Sequence, residues 1–110
     1  MTMITPLSAE TVRDARLVPA ATAAVAPAWF KRFGVTFARD EDDLDGYEFA
    51  GIAIRGLACG LLRYDHSPAS ETTVLGPEGM ATDQLVRAFA GAFDLPLERF
   101  AWRAVDEPSF

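Results

Sequence analysis

The sequence predicts an α+β protein. The expected parts are an N-terminal helical segment, a three- to four-stranded antiparallel meander, and a C-terminal amphipathic helix packed on one sheet face. Three observations predict it: the first 28 residues are rich in alanine, residues 33–76 alternate apolar side chains with a period near two, and the period lengthens to that of a helix after position 80. With 110 residues, half of them hydrophobic, the chain has the size of one ordinary domain, 1–110, with residues 1–6 and 105–110 expected to fray.

In chain order, "TPLSAETVRDARLV" offers Thr5 or Ser8 as a helix N-cap, Pro6 in the first turn if Thr5 caps, and Glu10 where the helix dipole favours an acid. Pro19 stops or kinks that helix, and "AATAAVA" extends the helical region toward Pro27. "FGVTFARD" puts Phe33, Val35 and Phe37 on one face of a half-buried strand. "YEFAGIAIRG" sets Tyr47, Phe49, Gly51 and Ala53 against Glu48, Ala50, Ile52 and Ile54; both faces are mostly apolar, as in a central strand. "LACGLLRYD" and "ETTVLG" are the third and fourth strand candidates. Asp45-Gly46 and Arg55-Gly56 stand where hairpin turns belong. In "MATDQLVRAFAGAFD", Leu85, Val86, Phe89 and Phe93 form one helical stripe. "LPLERFAW" then restarts as a short helix or a closing strand, and Trp29, Phe30, Phe33 and Trp102 read as core or as interface anchors.

The 16 acids and 10 bases give a net charge of −6, and five of those acids fall within residues 40–45. Without them, 11 acids face 10 bases, so one loop holds nearly the whole imbalance. Such a charge disfavours nucleic acid and anionic membrane, and favours a basic protein partner. No apolar run approaches the ~20 residues of a membrane-spanning helix. The single cysteine excludes an internal disulfide, and one Cys with one His excludes a cysteine-rich zinc site. A reduced, cytoplasmic protein with no cofactor is the expectation.

The candidate partner-binding residues are therefore Asp40, Glu41, Asp42, Asp43 and Asp45. They do not build an EF-hand: counted from Glu41, position 12 is Ile52 rather than glutamate, and the flanks read as strands. Two carboxylates ~7 Å apart in water repel by about 0.6 kcal/mol, less in salt, so an exposed turn tolerates the cluster. In "RYDHSPASET", Asp65, His66, Ser67 and Ser70 have the residue types of nucleophilic catalysis. Neighbours on a strand point to opposite faces, however, and Pro68 reads as the end of pairing, so a turn is expected. Cys59 sits in an apolar strand and reads as core. Gly76 to Gly79 precede a helix without the residues of a phosphate loop.

Size, acidity and the lack of a catalytic signature favour a small protein-binding or inhibitor protein, of the kind represented by the immunity proteins that neutralise cognate bacterial toxins. Two alternatives stand beside it. One is an acidic secretion chaperone. The other is a small-pocket enzyme using His66 with Asp65 or Glu71 for proton transfer. The geometry around His66 separates the last from the others: a closed apolar pocket favours chemistry, and an open turn favours binding.

Overall fold

A computed structural model gives the fold and describes residues 4–43 and 45–103, except for the side chains of the last two, Trp102 among them. Residues 1–3 and 105–110 of the expected frayed ends lie outside the described residues. In chain order the elements are β1 (Ile4–Pro6), α1 (Ala9–Ala15), β2 (Leu17–Ala23), α2 (Pro27–Lys31), β3 (Ala38–Glu41), β4 (Gly46–Ile54), β5 (Leu57–Tyr64), β6 (Thr72–Pro77), α3 (Thr82–Ala92), a 3-10 turn (Leu97–Arg99) and β7 (Phe100–Arg103). The strands form one antiparallel sheet in the order β1-β4-β5-β6-β2-β7, and β3 also pairs with β4.

This corrects the expected three- to four-stranded meander with flanking helices. The molecule is mostly sheet: seven strands among the described residues, with three short helices. The expected N-terminal helical segment shrinks to α1, where the Ser8 hydroxyl accepts the Thr11 N–H at 3.2 Å as an N-cap. Residues 17–23 form a strand between β6 and β7. Alanine's helix preference is small per residue, and burial between two strands overrides it. Ala21 and Ala23 are fully buried there. Pro19 falls at the register shift in β2, outside the stretch that β7 pairs, which is where a sheet tolerates a residue without an N–H.

A second correction concerns residues 33–37. The strand starts at Ala38, because Gly34 adopts φ +89 and breaks the alternation. Val35 still enters the core, but Phe33 stays partly exposed and packs edge-on against Phe93 at 5.4 Å.

The β4–β5 hairpin forms as its sequence predicts. Arg55 and Gly56 both take positive φ, the geometry of a type I′ turn, and the ladder runs from Ile54↔Leu57 to Tyr47↔Tyr64. Alternation then divides the sheet into two faces. Ala21, Ala23, Ala50, Ile52, Ile54, Cys59, Leu61 and Val74 fall on one, and with Phe30, Leu85, Val86, Phe89 and Phe93 from α2, α3 and the turn after it they make the main core. All four residues of the predicted α3 stripe are buried. The Trp29 indole N–H donates to the Phe93 carbonyl at 2.8 Å and ties α2 to the end of α3.

The opposite face carries Tyr47, Phe49, Gly51, Ala53, Ala58, Gly60, Leu62 and Tyr64. α1 covers its middle, where Gly51 lies against Val12 and Leu7. Toward the Tyr47–Tyr64 end α1 no longer reaches. No helix among the described residues is long and apolar enough to cross a membrane.

Candidate functional site

The acidic run sits at that uncovered end of the sheet. Asp40 and Glu41 belong to β3, whose four residues are all exposed, and Asp42 and Asp43 open the turn into β4. The connection to β4 is closed by the Asp42 N–H donating to the Asp45 carbonyl at 2.9 Å. The hairpin expected at Asp45-Gly46 is thus displaced, since Gly46 already pairs with Glu41 in the ladder.

The five acids do different things. The Asp42 carboxylate holds the turn by accepting the Asp45 N–H at 2.9 Å, whereas the Asp40 carboxylate accepts only the N–H of its neighbour Glu41, at 2.8 Å. Asp45 points inward. Its Oδ1 accepts the Gly46 N–H at 2.9 Å, and its Oδ2 accepts the His66 N–H at 2.9 Å while lying 2.5 Å from His66 Nδ1. The Asp45 side chain is only 21% exposed, and these bonds, the His66 N–H foremost, hold its carboxyl below the usual carboxylate range. Asp45 is therefore a brace between the β3–β4 turn and the β5–β6 turn, not a free surface charge. Among the described residues, Asp40, Glu41 and Asp43 form no ion pair with a cation of their own chain.

The basic groups near the corner are already engaged. Arg39 pairs with Asp65 at 2.7 Å, and this bond holds the guanidinium above its ordinary range. Lys31 lies 3.4 Å from Glu48. Gly46 lies beneath the Arg39–Asp65 pair, and a Cβ there would stand 2.6 Å from Asp65 Oδ2, so a larger residue would push that carboxylate aside.

His66 lies on the turn after β5, with its side chain 70% exposed and its ring stacked on Tyr64 at 5.5 Å. Its carboxylate partner is Asp45, neither Asp65 nor Glu71. Ser67 and Ser70 make no side-chain hydrogen bond to it. The backbone of the turn is fastened instead by Arg63, which donates to the Ser67 carbonyl at 3.1 Å and the Pro68 carbonyl at 3.4 Å. An aspartate can fix an imidazole's orientation for proton transfer, but here the ring stands on an open turn and hydrogen-bonds to neither serine.

Beside the corner runs a groove of about 360 Å³, lined by Asp42, Tyr47, Phe49, Leu62 and Tyr64. Tyr47 and Tyr64 meet edge to face with centroids 5.5 Å apart. Burial pushes the Tyr64 hydroxyl's pKa up, and the charge and hydrogen bond of Asp42 add to it. Sequence reasoning missed this groove and the Asp45–His66 pair, although one signal located both. Counting outward from the Arg55-Gly56 turn places Phe49 opposite Leu62 and Tyr47 opposite Tyr64, and two steps further Asp45 opposite His66.

Cys59 is fully buried and its thiol, which donates to the Leu57 carbonyl at 3.3 Å, is pushed up to about 12 by burial, so it is inert core rather than a nucleophile. Gly76 to Gly79 form the end of β6 and a turn, with Gly76 packed under Leu85. Among the described residues no three His, Cys, Asp or Glu side chains gather as metal ligands. Comparison of the chain with protein-family models, curated proteins and solved structures returns no match.

Proposed function

We propose that the chain is a small protein-binding protein, of the inhibitor or toxin-immunity kind, that engages a basic protein partner through Asp40, Glu41, Asp42 and Asp43, with Asp45 bracing the loop from within. The observation that carries this reading is that Asp40, Glu41 and Asp43 stand exposed on one corner while the nearby Arg39 and Lys31 are held by Asp65 and Glu48. An uncompensated patch of one sign steers a complementary partner and raises its association rate. His66 on an open turn offers no enclosed site for chemistry, which favours binding over proton transfer.

The test starts from partner capture with the wild-type chain and continues with the variant Asp40→Asn, Glu41→Gln, Asp43→Asn. These three are chosen because Asp42 and Asp45 hold the turn. With the captured partner, the variant is expected to associate about tenfold more slowly at low salt, with a flatter dependence on ionic strength. An unchanged association rate overturns the proposal and leaves the acids as a solvated turn.

A further inference from the structure

We propose that the groove of Tyr47, Phe49, Leu62 and Tyr64, with Asp42 at its rim, is the seat of an arginine side chain presented by the basic partner. This rests on the preceding reading that a basic protein docks at the acidic corner, and it specifies which cation the corner selects.

The argument begins with what the fold leaves uncovered. Tyr47, Phe49, Leu62 and Tyr64 lie on the same sheet face as Gly51 and Gly60. The two glycines admit α1 and its neighbours: a Cβ on Gly51 would stand 2.3 Å from Val12, and one on Gly60 would stand 3.2 Å from Leu17. One strand step away the face has large rings and no covering helix, and a groove of about 360 Å³ opens there. That volume is at the small end of ligand pockets. It suits one long side chain rather than a packed helix.

The chemistry of the lining then chooses among cations. A carboxylate at the rim of an aromatic floor complements a group that is positive and flat. Guanidinium is both: it stacks on ring faces and donates in its plane to a carboxylate, and it is more weakly hydrated than ammonium. Lysine matches the charge of the rim but gains less from the floor. A quaternary ammonium requires rings on several sides, whereas Tyr47 and Tyr64 touch each other edge to face and His66 stacks on Tyr64. The same protein already pairs arginine with an aromatic internally, with the Arg32 guanidinium 4.6 Å from the Trp29 ring centroid. The exposed Asp40, Glu41 and Asp43 next to the groove supply the field that brings the cation in.

The experiment uses the full chain and two short unstructured peptides of equal length and charge, one carrying arginines and the other lysines at the same positions. Binding is read by NMR, through backbone amide shifts and the ring resonances of Tyr47 and Tyr64. The expected result is an arginine peptide bound about three- to fivefold more tightly, with ring shifts at both tyrosines and contacts to guanidinium protons. The variant Tyr47→Leu, Tyr64→Leu should lose that preference and keep its affinity for the lysine peptide. Equal affinities, with shifts confined to residues 40–43, overturn the groove as an arginine seat and leave the basic-partner reading standing. An arginine preference that survives in a folded double variant also overturns it. Binding of neither peptide at low salt overturns both proposals. The wild-type ring shifts decide the matter even if the double variant does not fold.

Discussion

Asp43 and Asp45 differ by two positions and by nothing in chemistry, yet one is exposed and the other accepts three hydrogen bonds across two turns. The difference comes from the sheet. Asp45 lies on the extension of the β4 strand and faces the chain that leaves β5, whereas Asp43 lies at the tip of the turn. A consequence in pH follows. Because the folded-state pKa of Asp45 is depressed, mainly by the His66 N–H, its contribution to stability is present above the unfolded value near ~3.9 and is lost as pH falls through the folded value. Asp45→Asn should therefore melt below wild type at neutral pH, and the gap should close as pH is lowered from about 5 toward 2. Asp43→Asn should show no such convergence. Thermal melts at half-unit pH steps decide it: a gap for Asp45→Asn that persists unchanged at pH 2, or that is absent at pH 7, contradicts the brace. The run of acids was visible in the sequence, but its division into brace and surface was not. That division depends on which residue continues a strand, and the Asp45-Gly46 signal places the turn two positions too late.

At the scale of elements, two glycines in similar-looking apolar runs do opposite things. Gly76 in β6 sits under Leu85 of α3, and a Cβ there would stand 2.4 Å from one Leu85 methyl and 3.0 Å from the other. Leu85 is buried, so displacing it strains a close-packed core. Gly91, in the last turn of α3, has nothing within 4 Å of where a Cβ would stand. Gly76→Ala should therefore cost roughly 1–3 kcal/mol through overpacking, and Gly91→Ala should stabilise by about 0.5–1 kcal/mol through helix propensity. Urea unfolding of the two variants checks both signs. If Gly76→Ala is neutral, the helix–sheet spacing is looser than described. The legible elements were those whose own pattern matched their environment: the α3 stripe, the β4–β5 hairpin with its Arg55-Gly56 turn, and the Ser8 cap. β2 was illegible because alanine-rich sequence says little about conformation, and only its neighbours β6 and β7 make it a strand. β1, at three residues, and β3, a fully exposed edge strand, carry too little periodicity to announce themselves. The aromatic groove was legible in principle, since the turn position fixes the pairing of all four of its ring and leucine residues.

For the molecule as a whole, β4 sets a charge axis. At about 3.3 Å per residue its nine residues span about 30 Å, from the acidic corner at Gly46 to the Arg55 turn. Arg55 and Arg87 flank a cavity of about 210 Å³ at the far end. The acids thus do not neutralise the arginines at the far end; the two groups lie several Debye lengths apart at physiological salt. Within the corner the carboxylates are neighbours, well inside that length, and they repel one another in the folded state. If Asp40, Glu41 and Asp43 serve association rather than folding, removing their charge relieves that repulsion. The variant Asp40→Asn, Glu41→Gln, Asp43→Asn should then melt at or above wild type in ~10 mM salt, by at most a few degrees. The difference should vanish by ~0.5 M salt, where screening suppresses the repulsion in wild type as well. A variant that melts several degrees lower at every ionic strength contradicts this, because a salt-independent loss means these acids hold the β3–β4 corner through local bonds. The thermal result separates the two roles before any partner is in hand: surface charges kept for an encounter destabilise slightly or not at all, and charges that build the turn cannot be removed without loss.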